Sequence, residues 1–358
     1  MSLSTTHQCY SMTTTPTTNN CRIRPLFHRV LLQPCLKCLP PHPSLSWNCS
    51  SPQLKHLLVA QHFAMKDLGD LHYFLGVQAV RSSKGLFLSQ HKYMSGLLSR
   101  FHLHTLKSVR TPFATRTSLS LTDGELLVDA TEYRSMVGVL HYLTLTRPDI
   151  IYVVHLVSQF MHAPRTTHLF AVKRIFRYLH GTLDHGLWLQ PTSQATCVIA
   201  YSDVDWAGCP DTSRSTTGFD VFLGSNLVSW KSKKQPTVSK SSTEAEYRAV
   251  AYTVQDTLHI RSVLFELGFP VTTLVQLFCD NISASYLTAN PVQHARSKHI
   301  QIDYHFVWER VAHGDLVLKY ITTQLQLADI FTKSLSSRQF QFLKDNSRVV
   351  SPAQFEGV

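Results

Sequence analysis

The chain has 358 residues, of which 44% are hydrophobic and 16% charged, and its formal net charge is +11. This length is enough for two domains with substantial cores, so folding requires neither disulfides nor a structural metal ion. No apolar run approaches the roughly 20 residues of a membrane-spanning helix. The positive charge favours a polyanionic partner such as a nucleic acid, and a merely basic surface is the alternative.

Cysteine use divides the chain. Five of the eight cysteines precede residue 50, and the others are Cys197, Cys209 and Cys279. We interpret them as reduced thiols, which predicts an intracellular protein of the cytoplasm or nucleus. Cys35 and Cys38 have the spacing that begins a zinc site, but no second pair of cysteines or spaced histidines completes it.

Residues 1–53 are predicted to be a disordered or unrelated leader, because they are rich in Ser, Thr and Pro and show no sustained hydrophobic period. They lack the basic and then apolar order of a secretory signal. Their composition is similar to that of a transit peptide, and an accidental extension of the reading frame explains it equally well.

Regular structure is predicted from residue 54 onward. Apolar spacing and turn residues indicate, in order, a helix at 57–69, strands at 71–77 and 85–90, and a helix at 91–101. Residues 131–190 then form three helices. The third, at 168–180, carries Lys173, Arg174 and Arg177 on one face, which either follows a nucleic-acid backbone or is simply solvated.

Acidic residues follow the apolar strands and helix starts of the second half of the chain. Asp203 ends a predicted central strand at 197–203, which continues as a meander through strands at 218–223 and 227–230. Asp280 ends a second central strand at 275–280, and parallel pairing would bring it beside Asp203. Asp205 is expected in the turn after the first strand.

Two further acids belong to helices. The residues at 243–246 form a capping box that opens a helix, and either Glu244 or Glu246 can serve a site there. Asp329 is expected to open the last helix. The alternative for Asp203 and Asp329 is a simple capping role. Buried carboxylates cost several kcal/mol when unpaired, and hard cations such as Mg²⁺ remove that cost.

Six phrases in this region resemble the ribonuclease H domain of copia-type retrotransposon polyproteins, and they occur in that family's order. They are YSDVDWAGC (201–209), STTGF (215–219), SWKSK (229–233), SSTEAEY (241–247), KHI (298–300) and ADIFTK (328–333). Upstream, MKDLGDLHYFLG (65–76) and LFLSQHKY (86–93) resemble the end of that family's reverse transcriptase. The resemblance covers roughly residues 62–345.

The resemblance implies an α/β (α+β) fold, with a ribonuclease H-like mixed sheet flanked by helices, preceded by a mostly helical reverse transcriptase thumb/connection remnant. It divides the chain into a leader (1–53), a reverse transcriptase C-terminal remnant (54–130), a helical connection (131–190), a ribonuclease H-like domain (191–345) and a tail (346–358). The Tyr-Val-Asp-Asp type phrase of the polymerase site is missing, so no polymerase activity is expected.

The activity implied is metal-dependent endonucleolytic cleavage of the RNA strand in an RNA–DNA hybrid. The family pattern places the ligands of two Mg²⁺ ions, for which Mn²⁺ can substitute, on Asp203, Glu246, Asp280 and Asp329, and leaves Glu244 in the exposed first turn of its helix. His299 resembles a histidine that assists product or proton handling. Residues expected to contact nucleic acid are Lys231, Lys233, Lys234, Asn281, Arg296 and Lys298. No small-molecule cofactor and no membrane association are expected.

The sequence also departs from the family pattern. Gln301 stands where the family often has an acid, and Trp308 where it often has Arg, which casts doubt on recent selection for activity. An inactive nucleic-acid-binding module and a non-functional pseudogene product therefore remain alternatives to the nuclease.

Overall fold

The computed structural model describes residues 71–115, 117–191, 197–289 and 301–356. The predicted leader, the helix predicted at 57–69 and the Cys35 and Cys38 pair lie outside the described residues, as do Arg296, Lys298 and His299. Among the described helices, none combines the length and the apolar character that a bilayer crossing requires.

The described part of the chain contains two sheets and the helices that pack on them. In chain order the strands are β1 (Tyr73–Phe74), β2 (Val77–Ser82), β3 (Gly85–Ser89), β4 (Gly186–Leu189), β5 (Val198–Asp205), β6 (Thr216–Leu223), β7 (Asn226–Lys234), β8 (Val275–Cys279), β9 (Leu316–Tyr320) and β10 (Val349–Val350). The α-helices are α1 (His91–Arg100), α2 (Thr131–Leu143), α3 (Ile151–Ser158), α4 (Thr166–His180), α5 (Ser242–Glu266), α6 (Ile282–Ala289), α7 (Gln301–Ala312), α8 (Ser337–Asn346) and α9 (Pro352–Glu356). Short 3-10 helices occupy Pro148–Ile150, Thr323–Leu325 and Leu327–Phe331.

The first sheet is antiparallel, with the strand order β1-β2-β3-β4-β10. The single strand predicted at 71–77 is wrong in extent, because a turn divides it into β1 and the start of β2. Leu75 and Gly76 form this turn with φ of 47° and 73°, a conformation that glycine adopts without steric cost. Strand β4, from the predicted connection, pairs with β10, from the predicted tail.

The second sheet is mixed, with the order β7-β6-β5-β8-β9. Strands β5, β6 and β7 form the predicted antiparallel meander, and β8 lies parallel to β5 as expected. Helix α5 covers one face and buries Tyr247, Val250 and Val254 against the sheet. This topology confirms the predicted mixed sheet flanked by helices.

A continuous apolar cluster joins the two sheets through the helices between them. It includes Leu88 and Leu187 of the first sheet, and Phe222 and Trp230 of the second. The indole N–H of Trp230 donates to the carbonyl oxygen of Thr144, just after α2, over 3.0 Å.

The segment between α2 and α3 contains a buried ion pair that was not predicted from the sequence. Arg147 and Asp149 have side chains with 0% exposure, and their closest atoms, Nη2 and Oδ2, are 2.8 Å apart. Tyr178 of α4 donates its hydroxyl proton to the same Asp149 oxygen over 2.6 Å. This network ties the end of α4 to this segment, and the proline at 148 starts the 3-10 turn that separates the two helices.

Candidate active site

Two of the predicted acids lie side by side near the carboxyl ends of parallel strands. The prediction that Asp203 ends its strand is wrong, because β5 continues to Asp205. Ser202 of β5 is in register with Cys279 of β8, so the next residues, Asp203 and Asp280, emerge at the same edge of the sheet. The Asp203 side chain is 1% exposed, whereas Asp280 is half-buried. The Thr323 hydroxyl donates to Asp280 Oδ2 over 2.9 Å and so holds its carboxylate in place.

Glu246 and Asp329 complete the group from two other elements. One oxygen each of Asp203, Asp280 and Asp329 lie within 4.8 Å of one another, and so do a Glu246 oxygen, an Asp280 oxygen and the Cys279 sulfur. Asp280 is common to both groups. The structure therefore brings the four predicted carboxylates together, and an oxygen-rich donor set of this kind suits a hard divalent cation.

Asp329 reaches this position from a 3-10 helix. The expectation that it opens the last helix is wrong, because Asp329 lies within Leu327–Phe331 and the next α-helix, α8, begins at Ser337. Gly218 of β6, which pairs with Asp203, allows the 3-10 helix to approach the sheet. A Cβ on this residue would lie only 2.7 Å from the Cβ of Phe331, too close for the two atoms to coexist. The absent side chain lets the 3-10 segment lie directly on the sheet.

Lys333 and Thr332, which were not among the residues predicted from the sequence, also enter the site. Lys333 Nζ lies 3.1 Å from Asp203 Oδ1 and 2.8 Å from Asp329 Oδ1. The Thr332 hydroxyl donates to Asp203 Oδ2. The available signal was the ADIFTK phrase itself, in which the lysine follows Asp329 by four residues.

The carboxylates repel one another and are poorly solvated. Burial, followed by the charges of Asp203 and Asp280, raises the pKa of Glu246 well above its usual range. Burial and then the Asp203 charge raise the pKa of Asp280, and the same two causes raise that of Asp329 to about 7. The cluster thus carries more negative charge than its surroundings balance, a state that binding of a proton or a metal ion relieves.

Three sequence-based placements near the cluster are wrong: the exposure of Glu244, the capping box at 243–246 and the turn position of Asp205. Glu244 is 5% exposed rather than exposed; its carboxylate pairs with Arg248 over 2.7 Å and accepts the Lys240 backbone N–H over 2.9 Å. The N-cap is Ser241, whose hydroxyl accepts the Glu244 N–H. Asp205 is the last residue of β5 and not part of the turn, and burial and then Asp203 raise its pKa to about 6.

Comparison with known proteins decides the family. No family model matches the chain. The Pol polyprotein of transposon RE1 from Arabidopsis thaliana is 50% identical over 283 residues, which are 79% of this chain and 19% of that protein. That of transposon TNT 1-94 from Nicotiana tabacum is 36% identical over 296 residues, 80% of this chain and 22% of that protein. The chain belongs to the copia-type retrotransposon Pol family. It spans about a fifth of the length of these Pol polyproteins.

Other matches to this Pol-family chain are shorter proteins and solved structures. An uncharacterised mitochondrial protein of Arabidopsis thaliana is 47% identical over 210 residues, 58% of this chain and 87% of that protein. A ribonuclease H1 isolated from compost matches 38% of this chain and 93% of its own at 18% identity and a TM-score of 0.30, and it has also been solved with an RNA/DNA hybrid. A foamy viral protease–reverse transcriptase with double-stranded DNA matches 70% of this chain and 37% of its own at 10% identity and a TM-score of 0.42.

Four of the residues predicted to contact nucleic acid are among the described residues, and they lie in different environments. Lys231 Nζ is 5.9 Å from the ring centre of Phe219, and Lys233 is exposed. Lys234 instead donates to Gln159 Oε1 over 3.0 Å, which links β7 to the end of α3. Asn281 accepts the Ala284 N–H over 3.0 Å and caps α6.

The basic face of α4 holds a neighbouring segment of the Pol-family chain. Arg174 donates to the Thr111 hydroxyl over 3.0 Å, and Arg177 donates to the Lys107 carbonyl over 2.8 Å. These contacts bind the loop after α1 to the helix. Contact of this face with nucleic acid remains a prediction.

Proposed function

We propose that this chain is a retrotransposon-derived ribonuclease H that cleaves the RNA strand of an RNA–DNA hybrid with divalent metal ions. The observation that carries the proposal is the convergence of Asp203, Glu246, Asp280 and Asp329 from four separate elements of a mixed sheet and its flanking helices. Clustered, buried carboxylates are costly to a fold unless a cation or a proton is bound among them. Such a cluster is therefore a candidate site rather than a stabilising feature.

The ligand set favours Mg²⁺, with Mn²⁺ as a substitute. Asp203, Asp280 and Asp329 would hold one ion, and Glu246 and Asp280 would hold a second. When bound, two such ions would stabilise the attacking and leaving oxygens of a phosphodiester. The chain's own groups fix the ligands: Thr332 orients the Asp203 carboxylate and Thr323 orients that of Asp280.

The substrate assignment depends on charge and position. The net charge of +11 favours a polyanion, and Lys231 and Lys233 lie on the sheet that carries Asp203. Contacts of this kind bind phosphates and position a duplex without reading its sequence. In the proposed reaction water is the nucleophile, and the products are a 3′-hydroxyl and a 5′-phosphate.

We also propose that the segments before this domain are a reverse transcriptase remnant (54–130) and a connection (131–190), without polymerase activity in this chain. The role of His299 in product or proton handling, and the contacts of Arg296 and Lys298 with nucleic acid, belong to the same proposal. These three residues lie outside the described ranges.

The test is cleavage of a labelled RNA–DNA hybrid by the full chain with Mg²⁺ or Mn²⁺, compared between two glutamate variants. Glu246→Gln removes a charge from the ligand set while keeping the side-chain size, so cleavage should collapse. Without metal, this variant should melt at a slightly higher temperature than wild type, because one of the repelling carboxylates is neutralised.

Glu244→Gln is the matched control, since it makes the same chemical change two residues away. It should cost about 0.5–2 kcal/mol of stability through the weakened cap and ion pair, and keep its cleavage rate below the melting temperature. Absence of cleavage by wild type with both metals would support an inactive remnant. If Glu244→Gln lost cleavage and Glu246→Gln kept it, the metal ligand would be Glu244, and the assignment to Glu246 would be wrong.

A further inference from the structure

Lys333 occupies the space between two of the proposed metal ligands. Its ammonium lies 2.8 Å from Asp329 Oδ1 and 3.1 Å from Asp203 Oδ1, and those two carboxylates have side-chain exposures of 2% and 1%. Asp203, Asp280 and Asp329 form the group whose oxygens lie within 4.8 Å of one another. Lys333 therefore pairs with two of the three members of this group.

Among the described residues, the ion pairs to this carboxylate cluster are made by Lys333. Other lysines of the same domain have different neighbours: Lys234 contacts Gln159, and Lys319 donates to Gln276 over 3.0 Å. Without Lys333, the buried Asp203 and Asp329 would face each other with no opposing charge. The ammonium thus does in the metal-free protein what a metal ion would do.

The ammonium and a metal ion compete for the same oxygens. Mg²⁺ binds carboxylate oxygens at about 2.0–2.1 Å, and two cations that share these Oδ1 atoms would repel each other strongly at such distances. Lys333 has a route out of the site, because its side chain is 33% exposed while its partners are buried. The end of a flexible four-carbon stem can move without displacing the backbone.

We propose that Lys333 is an internal counter-ion, which fills the carboxylate cluster in the metal-free protein and which the divalent metal must displace. This inference rests on the proposed function, since it takes Asp203 and Asp329 as metal ligands. Lys333 stabilises the empty site and at the same time weakens its apparent affinity for metal. The metal sensitivity of the enzyme is then set by a residue that is not itself a ligand.

The first measurement is the chemical labelling of lysine amines in the full-length wild-type chain, followed by mass spectrometry, with and without Mg²⁺. Ion pairs protect the Lys333 amine in the metal-free protein, so Mg²⁺ should increase its labelling. Lys240 is exposed and serves as the internal control, whose labelling should not change. Unchanged or reduced labelling of Lys333 on addition of Mg²⁺ would overturn the proposal.

The second measurement is Mn²⁺ binding to the full chain without nucleic acid, followed by the paramagnetic resonance signal of free Mn²⁺. If Lys333 occupies the carboxylates about nine-tenths of the time, Lys333→Met should bind Mn²⁺ about tenfold more tightly than wild type. Lys240→Met removes the same charge from an exposed position and should bind like wild type. Without metal, Lys333→Met should melt at a lower temperature than Lys240→Met, and saturating Mn²⁺ should close that gap.

The outcomes separate this inference from the proposed function. Equal or weaker Mn²⁺ binding by Lys333→Met overturns it, and so does tighter binding without the Mg²⁺-dependent increase in labelling, which would indicate charge proximity alone. Increased Lys333 labelling and tighter Mn²⁺ binding by Lys333→Met, in a wild-type chain that cleaves no hybrid, would support the counter-ion role and reject the nuclease function. Cleavage of the hybrid without either change would support the nuclease function and reject the counter-ion role.

Discussion

At the scale of single residues, the second sheet contains a buried acid that lies outside the carboxylate cluster and forms no ion pair with a described residue. Asp220 of β6 has 0% exposure, and neither of its carboxylate oxygens forms a hydrogen bond of normal geometry with a described residue. It lies between Tyr201 and Trp230 on the neighbouring strands. Burial raises the pKa of Asp220 well above its usual range, and the nearby backbone N–H groups of Tyr201 and Asp220 offset this only in part.

This raised pKa predicts a pH-dependent cost that Asp220→Asn removes. Below the unfolded pKa of about 3.9 the folded and unfolded states are both protonated, and Asp220 carries no charge penalty. As pH rises above that value, the unfolded state ionises first, so the folded state loses about 1.4 kcal/mol of stability for each pH unit, until the folded pKa is reached.

Thermal melting of the Asp220→Asn and wild-type chains across this range is the measurement. The variant should gain on wild type between about pH 4 and neutral pH, and the two should melt alike at the acid end. Asp123→Asn, at an exposed position, should show no such trend. A constant difference across the whole range would mean that Asp220 is ionised at little cost in the folded chain.

At the scale of elements, the contact between β6 and the 3-10 helix at Leu327–Phe331 positions both Asp329 and Thr332 in the site. A Cβ on Gly218 would stand 2.5 Å from Thr332 Cγ2 and 2.7 Å from Phe331 Cβ. Gly218→Ala should therefore push the 3-10 helix from the sheet, cost about 1–3 kcal/mol as overpacking does, and weaken metal binding because Asp329 moves.

Gly138→Ala in α2 is the control for this prediction. Nothing lies within 4 Å of the added Cβ, so the change should stabilise the helix by about 0.5–1 kcal/mol and leave metal binding unaltered. Both variants are compared by thermal melting and Mn²⁺ titration. If Gly218→Ala bound metal as tightly as wild type, the added Cβ would not displace Asp329 from the site, and the prediction would be wrong.

The same elements show why part of the site could be predicted from sequence. Asp203 lies near the end of an apolar strand, Asp280 directly follows another, and Glu246 follows a helix start, so local pattern and motif order were enough to select them. Lys333 could not be placed, because its ion pairs depend on how closely the 3-10 helix approaches Gly218. The Arg147 and Asp149 pair was missed for a similar reason: its burial arises only when α4 packs against the segment between α2 and α3 and brings Tyr178 to it.

At the scale of the whole molecule, the two sheets share one apolar cluster. Residues after 190 contribute several of its buried side chains, including Phe222, Trp230, Ile330, Phe331 and Phe340. Polar contacts cross the same interface, such as Ser120 and the Leu121 N–H with Asp211 Oδ1 at 2.8 and 3.1 Å. The carboxylate cluster is thus built on an element, Leu327–Phe331, whose apolar residues pack into that shared core.

This arrangement predicts that the ribonuclease H-like segment does not fold stably when it is separated from the helices before it. A chain of residues 190–358 keeps the four carboxylates but exposes its part of the shared core. Exposing even three large apolar side chains costs about 5–9 kcal/mol, which is comparable to the 5–15 kcal/mol that stabilises a whole domain.

The measurement compares the melting of residues 190–358 with that of residues 71–358, which retain every described contact. The shorter chain should melt without a sharp transition or well below the longer one, and its metal affinity should fall, since Asp329 and Lys333 lose the packing that positions them. Equal, cooperative melting of the two truncated chains would mean that the shared cluster contributes little, and that the cluster of acids is held by the second sheet and α5 alone.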